Sequence, residues 1–173
     1  MQSNFRRSLD LLLKSEGGFS NHSQDPGGMT NLGVTAKVWE EWVGHPVDEK
    51  QMRALTPEDV APLYKRKYWD ACRSDELVSG LDYAVFDCAV NSGVGRAVKI
   101  LQSCVGVNPD GGFGSVTMAA VAQFQGEAAK TLIREYCDNR LNFLKSLKTF
   151  AVFGKGWENR VNSVKSEALE MLG

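Results

Sequence analysis

An apolar-striped helix that runs straight into two glycines, at Glu16-Gly17-Gly18-Phe19, limits most sharply what this chain can fold into. Phe5, Leu9, Leu12 and Leu13 recur at i, i+4, i+7 and i+8, the spacing of one helix face. Ser3 or Asn4 can cap the start, and Gly17 suits the left-handed residue that ends it. At about 100° per residue, the four apolar side chains fall at roughly 0°, 40°, 340° and 80°, and Glu16 at about 20°. A carboxyl aimed along a core-facing stripe is favoured in its neutral form, because burial penalises the charge and the helix C-terminus repels it. A neutral carboxyl can donate a proton. The plainer alternative is a frayed helix end with Glu16 in solvent.

The segment that follows, Ser20 to Thr35, holds a second acid in turn chemistry. In Asp25-Pro26-Gly27-Gly28 the Asp can bond its own backbone, Pro fixes φ, and the glycines accept φ > 0. Met29 to Thr35 then predicts a short, irregular β-hairpin that returns Asp25 and Thr30 over Glu16. Two carboxyls flanking a cleft are the minimum apparatus for glycoside hydrolysis: one protonates the leaving oxygen, the other activates water or supports the cation. An ordinary turn cap is the competing account of Asp25.

The ordered set Glu16-Gly17-Gly18-Phe19, Asp25-Pro26-Gly27-Gly28, Thr30-Asn31 and Gly33-Val34-Thr35 resembles the opening motif of glycoside hydrolase family 108, the N-acetylmuramidases of phages and prophages. The resemblance implies a mainly α, lysozyme-like fold with a short β-hairpin beside the active site. It also implies cleavage of the β-1,4 bond between N-acetylmuramic acid and N-acetylglucosamine. Glu16 is then the catalytic acid, with Asp25 and Thr30 completing the site and Thr35 competing with Thr30. Gly17, Gly18, Phe19, Asn31 and Thr35 are the expected substrate contacts around them. A lytic transglycosylase and a non-catalytic wall-binding or secretion-accessory protein are the alternatives, and inverting and retaining routes both stay open.

A second resemblance lies further on. Ala97 to Phe124 contains Leu101-Gln102, a Gly106-Val107 step, Asp110-Gly111-Gly112-Phe113-Gly114 and then Thr117. That order is similar to small helical peptidoglycan-binding modules, and makes Asp110 and Phe113 expected wall contacts. Two closely packed lobes are predicted, a catalytic one over 1–79 and a helical peptidoglycan-binding one over 80–173.

Length and charge narrow the partners. The 173 residues suffice for a real core, and a formal net charge of −1 supplies no field for nucleic acid. Specific sugar or peptide contacts must therefore hold the wall. No apolar run approaches the ~18 residues of a membrane span, and Asp10 interrupts the run Leu9 to Leu13 that a signal peptide would need. The expectation is a protein made in the cytoplasm and released to the periplasmic wall by a holin or a secretion system, in prophage lysis or in secretion. Cys72, Cys88, Cys104 and Cys137 lack zinc-ligand spacing, so buried, reduced thiols and no metal or cofactor are expected. His22 reads as a surface loop residue.

The remaining elements follow from local signals. Thr35 caps a helix over Ala36–Val43 that buries Val38, Trp39, Trp42 and Val43. Asp48 caps a short turn, and Thr56-Pro57 opens a helix to about Trp69. Tyr68 and Trp69 there can stack on sugar or serve as core. Buried helices follow from Leu81 (Tyr83 and Asp87 facing away from the core), after Gly93, from Ser115 or Thr117, and over Glu127–Leu147. Thr149–Gly156 reads as a loop before a last helix opened by Trp157, an aromatic that can face the wall or pack that helix.

Overall fold

The computed structural model describes residues 3–21 and 28–173. The chain divides into two compact units, one of Arg6–Lys67 and one of Tyr68–Gly173 together with residues 3–5.

The Arg6–Lys67 unit follows the sequence signals closely. Helix α1 (Phe5–Glu16) stops where Gly17 takes φ +75°. Three short strands, β1 (Ser20–Asn21), β2 (Met29–Asn31) and β3 (Val34–Thr35), form one antiparallel sheet in that order. Thr35 closes β3 and caps α2 (Ala36–Val43), accepting a hydrogen bond from the Val38 amide at 3.2 Å. Capping boxes open α3 (Glu49–Arg53), through Asp48 and Gln51, and α4 (Pro57–Tyr64), through Thr56 and Asp59. Leu9, Leu12, Val34, Met52, Val60, Leu63 and Tyr64 are the buried apolar residues of this unit. Helix α2 differs from expectation. None of its residues is buried, so Val38, Trp39, Trp42 and Val43 are half-exposed instead of core.

In the second unit, a π-helical turn (Lys65–Trp69) brings the chain to Trp69, and a 3-10 turn (Ser74–Glu76) leads on to α5 (Leu81–Ser92). Helices α6 (Val94–Cys104), α7 (Ser115–Val121), α8 (Glu127–Lys145) and α9 (Phe150–Leu172) complete it. Nine consecutive residues of α5, Leu81–Ala89, are buried, so Tyr83 and Asp87 lie inside, not away from the core as the sequence suggested. Asp87 is admitted because two cations meet it: Arg140 Nη1 at 2.7 Å and Arg160 Nη2 at 3.1 Å. A buried carboxylate needs such partners, and removing one member leaves an uncompensated charge that costs about 3–5 kcal/mol.

The stretch expected as a loop before the last helix is helical from Phe150. Gly154 allows it. A Cβ there would sit 2.7 Å from the Phe150 ring, so only a glycine lets that ring lie across the helix surface. The four cysteines are free thiols, three of them buried. Burial pushes Cys72 and Cys137 up to about 12 and Cys104 to about 11, so these sulfurs stay protonated at neutral pH.

Candidate active site

The end of α1 carries Glu16 to the tip of the β2–β3 hairpin. Asn31 pairs with Val34 across that hairpin, which leaves Leu32-Gly33 as a two-residue loop. Both loop residues take positive φ, +50° and +77°, the type I′ geometry that matches strand twist. Gly33 is suited to this conformation, whereas Leu32 is strained. The strain is held by Tyr64, whose hydroxyl donates to the Leu32 carbonyl at 2.8 Å.

Gly33 is sterically committed as well. A Cβ placed on it would lie 2.5 Å from the Tyr64 hydroxyl oxygen and 3.1 Å from both Cβ and Cγ of Glu16. Tyr64 and the Glu16 stem therefore both close on the hairpin tip, and the glycine is the piece that lets them do so. Glu16 is half-buried here, not directed into the core; the carboxyl-bearing end of α1 meets the hairpin at the unit's surface. Beside it, Gly17 and Gly18 are exposed, and a Cβ on either would meet nothing within 4 Å. Gly17 needs its glycine for φ; Gly18 does not, and its surface stays open two residues from Glu16.

The sheet register sorts the remaining polar residues. Asn31 and Val34 share the buried face, and the Asn31 amide donates to the Met52 carbonyl at 2.8 Å, which fixes the hairpin to α3. Asn31 is thus placed as a staple inside the unit. Ser20, Thr30 and Thr35 pair across the three strands and so share the opposite face, where all three are half-buried. Thr35 spends its hydroxyl oxygen on the α2 cap, while the Thr30 hydroxyl makes no hydrogen bond among the described residues. Phe19 lies under the Arg53 guanidinium, 4.0 Å from its ring centroid. Asp25 and His22 lie outside the described residues.

Other sites expected from sequence are placed as follows. Trp69 has no exposed ring face: it is fully buried, edge-on to Phe5 and Phe86 at 5.5 and 5.4 Å, with Nε1 donating to Asp75 at 2.8 Å. Tyr68 is half-buried. Trp157 is half-buried, stacked on Phe153 at 5.8 Å and tilted against Phe150 at 6.2 Å. Phe113 sits beneath the Arg73 guanidinium at 5.9 Å.

Asp110 belongs to a turn built around Gln102, a residue the sequence marked only as part of a motif. The two N–H groups of the buried Gln102 amide are shared among Asp110 Oδ1, the Gly112 carbonyl and Thr117 Oγ1, each 3.0 Å from Nε2, and its oxygen accepts from the Gly111 amide at 2.9 Å. Gly112 N–H adds a bond to Asp110 at 2.8 Å. The spaced Gln, Asp-Gly-Gly and Thr are thus one network. Trp39 and Trp42 are the surface aromatics that sequence reasoning assigned to the core. Their i, i+3 spacing puts both on one side of α2, and that same spacing is why they read as core.

The helical unit with its small three-stranded sheet carries, at the end of α1, a half-buried carboxyl beside an open glycine surface, and the family match makes the chain a glycosidase of the lysozyme type. The glycosyl hydrolase 108 model matches residues 9–93, and a model described as a Predicted Peptidoglycan domain matches residues 96–162. A solved structure of Brucella abortus SagA is similar, with a TM-score of 0.84 and 41% identity over 98% of this chain and 95% of that chain. The chain belongs to the glycosyl hydrolase 108 family, with a helical peptidoglycan-binding domain following the hydrolase part, and is a peptidoglycan hydrolase. Among curated proteins, none matches the sequence. Among the described residues, no helix is long and apolar enough to cross a membrane, and no cluster of His, Cys, Asp and Glu is placed to hold a metal.

Proposed function

We propose that the chain is an N-acetylmuramidase in which Glu16 protonates the glycosidic oxygen leaving from the β-1,4 bond between N-acetylmuramic acid and N-acetylglucosamine. The observation that carries this reading is the packing of the Glu16 stem against Gly33 and Tyr64, with open surface at Gly18 beside it. A general acid must be held within hydrogen-bond reach of its oxygen, and a fixed stem restricts the carboxyl to its last torsions. Thr30 is favoured over Thr35 as the hydroxyl that meets substrate or water, because Thr35 is engaged in capping. Asp25 fills the role of second carboxyl on the strength of the sequence motif. Trp39 and Trp42, half-exposed on the helix that leaves Thr35, supply apolar faces suited to sugar rings.

Purified Glu16→Gln tests the assignment. Removing a general acid lowers the rate by about 10²–10⁴, with melting temperature and circular dichroism unchanged. Wall lysis at the parental rate by that variant rules out Glu16. The transglycosylase alternative predicts anhydro-muramic ends among the products, which hydrolysis does not form. Release after lysis or through a secretion route is a second part of this proposal, tested by expressing the chain with and without a holin.

A further inference from the structure

Helix α6 carries a cationic cleft that the hydrolase site does not use. Arg96, Lys99, Ile100 and Ser103 recur at i, i+3, i+4 and i+7, one helix face, and with Pro109 they line a cleft of about 250 Å³. The Arg96 guanidinium lies over the Phe143 ring, 4.4 Å from its centroid, a contact that uses a face and not the N–H groups that bind an anion. The Lys99 stem passes over Gly111, where a Cβ would lie 3.3 Å from Lys99 Cε, so the side chain runs beside the loop that carries Asp110. No acid lines the cleft, and neither cation forms an ion pair or hydrogen bond among the described residues.

Pro109 belongs to a loop whose adjacent residues, Asn108 and Asp110, line a second cavity of about 480 Å³ with Val107, Gly112 and Val116. Asp110 is exposed there. Its Oδ1 accepts the Gln102 and Gly112 bonds, and Oδ2 has no partner among the described residues. The Gly112 amide, with the Gln102 amide, holds this carboxyl below its usual range, so it stays ionised at neutral pH. Helix α6 thus presents two cations in one cleft, and the loop that closes that cleft with Pro109 presents a carboxylate in the other.

We propose that Arg96 and Lys99 together with Asp110 form a two-point site for a peptide bearing both a free carboxylate and a free ammonium group, the chemistry of a peptidoglycan stem peptide with a diamino-dicarboxylic residue. The inference rests on the reading that this chain acts on peptidoglycan, and assigns recognition of the peptide to α6 and its loop. Arg96 and Lys99 bind the carboxylate, the first as a planar fork and the second as a point charge. Asp110 Oδ2 accepts from the ammonium. Fully N-acetylated glycan carries no ammonium group and satisfies only half of the site.

The test is calorimetric titration of the full chain with a synthetic stem tetrapeptide carrying such a residue, beside the same peptide with carboxylates amidated or with its side-chain amine acetylated. The variants are Arg96→Gln, Lys99→Met and Asp110→Asn, the last keeping the Oδ1 acceptor; melting temperature reports that each is folded. The unmodified peptide binds the parent, and each variant weakens it about fivefold to tenfold. The amidated peptide is insensitive to Arg96→Gln, the acetylated one to Asp110→Asn, and affinity falls as salt is raised. Equal binding of all three peptides, or no effect of any variant, overturns the proposal. Cleavage of peptide-stripped glycan separates it from the hydrolase reading. A chain that cleaves such glycan yet ignores the peptide overturns the site alone, whereas the binding pattern above without any glycan cleavage supports the site and overturns the hydrolase.

Discussion

Replacing Gly33 by Ala perturbs the candidate active site through one atom, and its effect can be worked from the contacts at that position. Alanine at φ +77° costs about 1 kcal/mol relative to glycine. Its Cβ would lie 2.5 Å from the Tyr64 hydroxyl oxygen, so that oxygen must move and its 2.8 Å bond to Leu32 is lost, about another 1 kcal/mol. The contacts at 3.1 Å with Glu16 then displace the acid itself. The sum is a destabilisation of about 2–3 kcal/mol, or roughly 1–1.5 M in urea midpoint at a typical slope of about 2 kcal/mol/M. Removing the obstructing oxygen by Tyr64→Phe should relieve the clash. Tyr64→Phe alone costs about 1 kcal/mol, but the double variant should be more stable than the two losses added, by about 1 kcal/mol. Urea denaturation of the four proteins measures this coupling. Additivity within about 0.5 kcal/mol refutes the close approach of Tyr64 to Gly33.

Further outcomes follow from the same structure. Gly18→Val should leave stability nearly unchanged, since a Cβ there meets nothing within 4 Å, while lowering wall-lysis activity by obstructing the surface beside Glu16; unchanged turnover in a turbidity assay argues against that surface. Gln102→Leu removes four hydrogen bonds from the Asp110–Thr117 network and should destabilise by about 2–4 kcal/mol, read as a shift in denaturation midpoint. Cys72 and Cys137 are raised from the ordinary 9.0 to about 12 in the folded chain, so above pH 9 the unfolded thiols ionise while the folded ones stay protonated. Stability contributed by these thiols is therefore complete below pH 9 and falls as pH rises toward 12. Melting curves between pH 8 and 10 of the parent and of Cys72→Ala Cys137→Ala check this, the alkaline loss being smaller in the variant.

Local signals in the sequence carried most of the backbone and little of the surface. The caps at Thr35, Asp48 and Thr56 each place a specific atom on a specific amide, and all three are found where the sequence puts them. The run Leu81–Ala89 was legible as buried, but the inward position of Asp87 was not, because its arginine partners lie 53 and 73 residues away. Periodicity also misjudged α2. It reports which residues share a face but not whether another element covers that face, and Trp39 and Trp42 remain half-exposed. The helical start at Phe150 was not legible in Thr149–Gly156, which read as a loop, because the role of Gly154 is a packing requirement met only against the Phe150 ring. At the candidate active site, the motif pointed to Glu16 and to the hairpin, and the hairpin is found. The approach of Glu16 and of Tyr64, 48 residues further along, to the same glycine exists only in the folded chain.

The account's central claim is that the Glu16 carboxyl donates the proton that frees the glycosidic oxygen. Mass spectrometry of fragments released from insoluble peptidoglycan by the parent and by folded Glu16→Gln addresses it most directly. The account predicts fragments ending in reducing N-acetylmuramic acid from the parent and at least about a hundredfold fewer from the variant. The same fragments in the same yield from both proteins would contradict it.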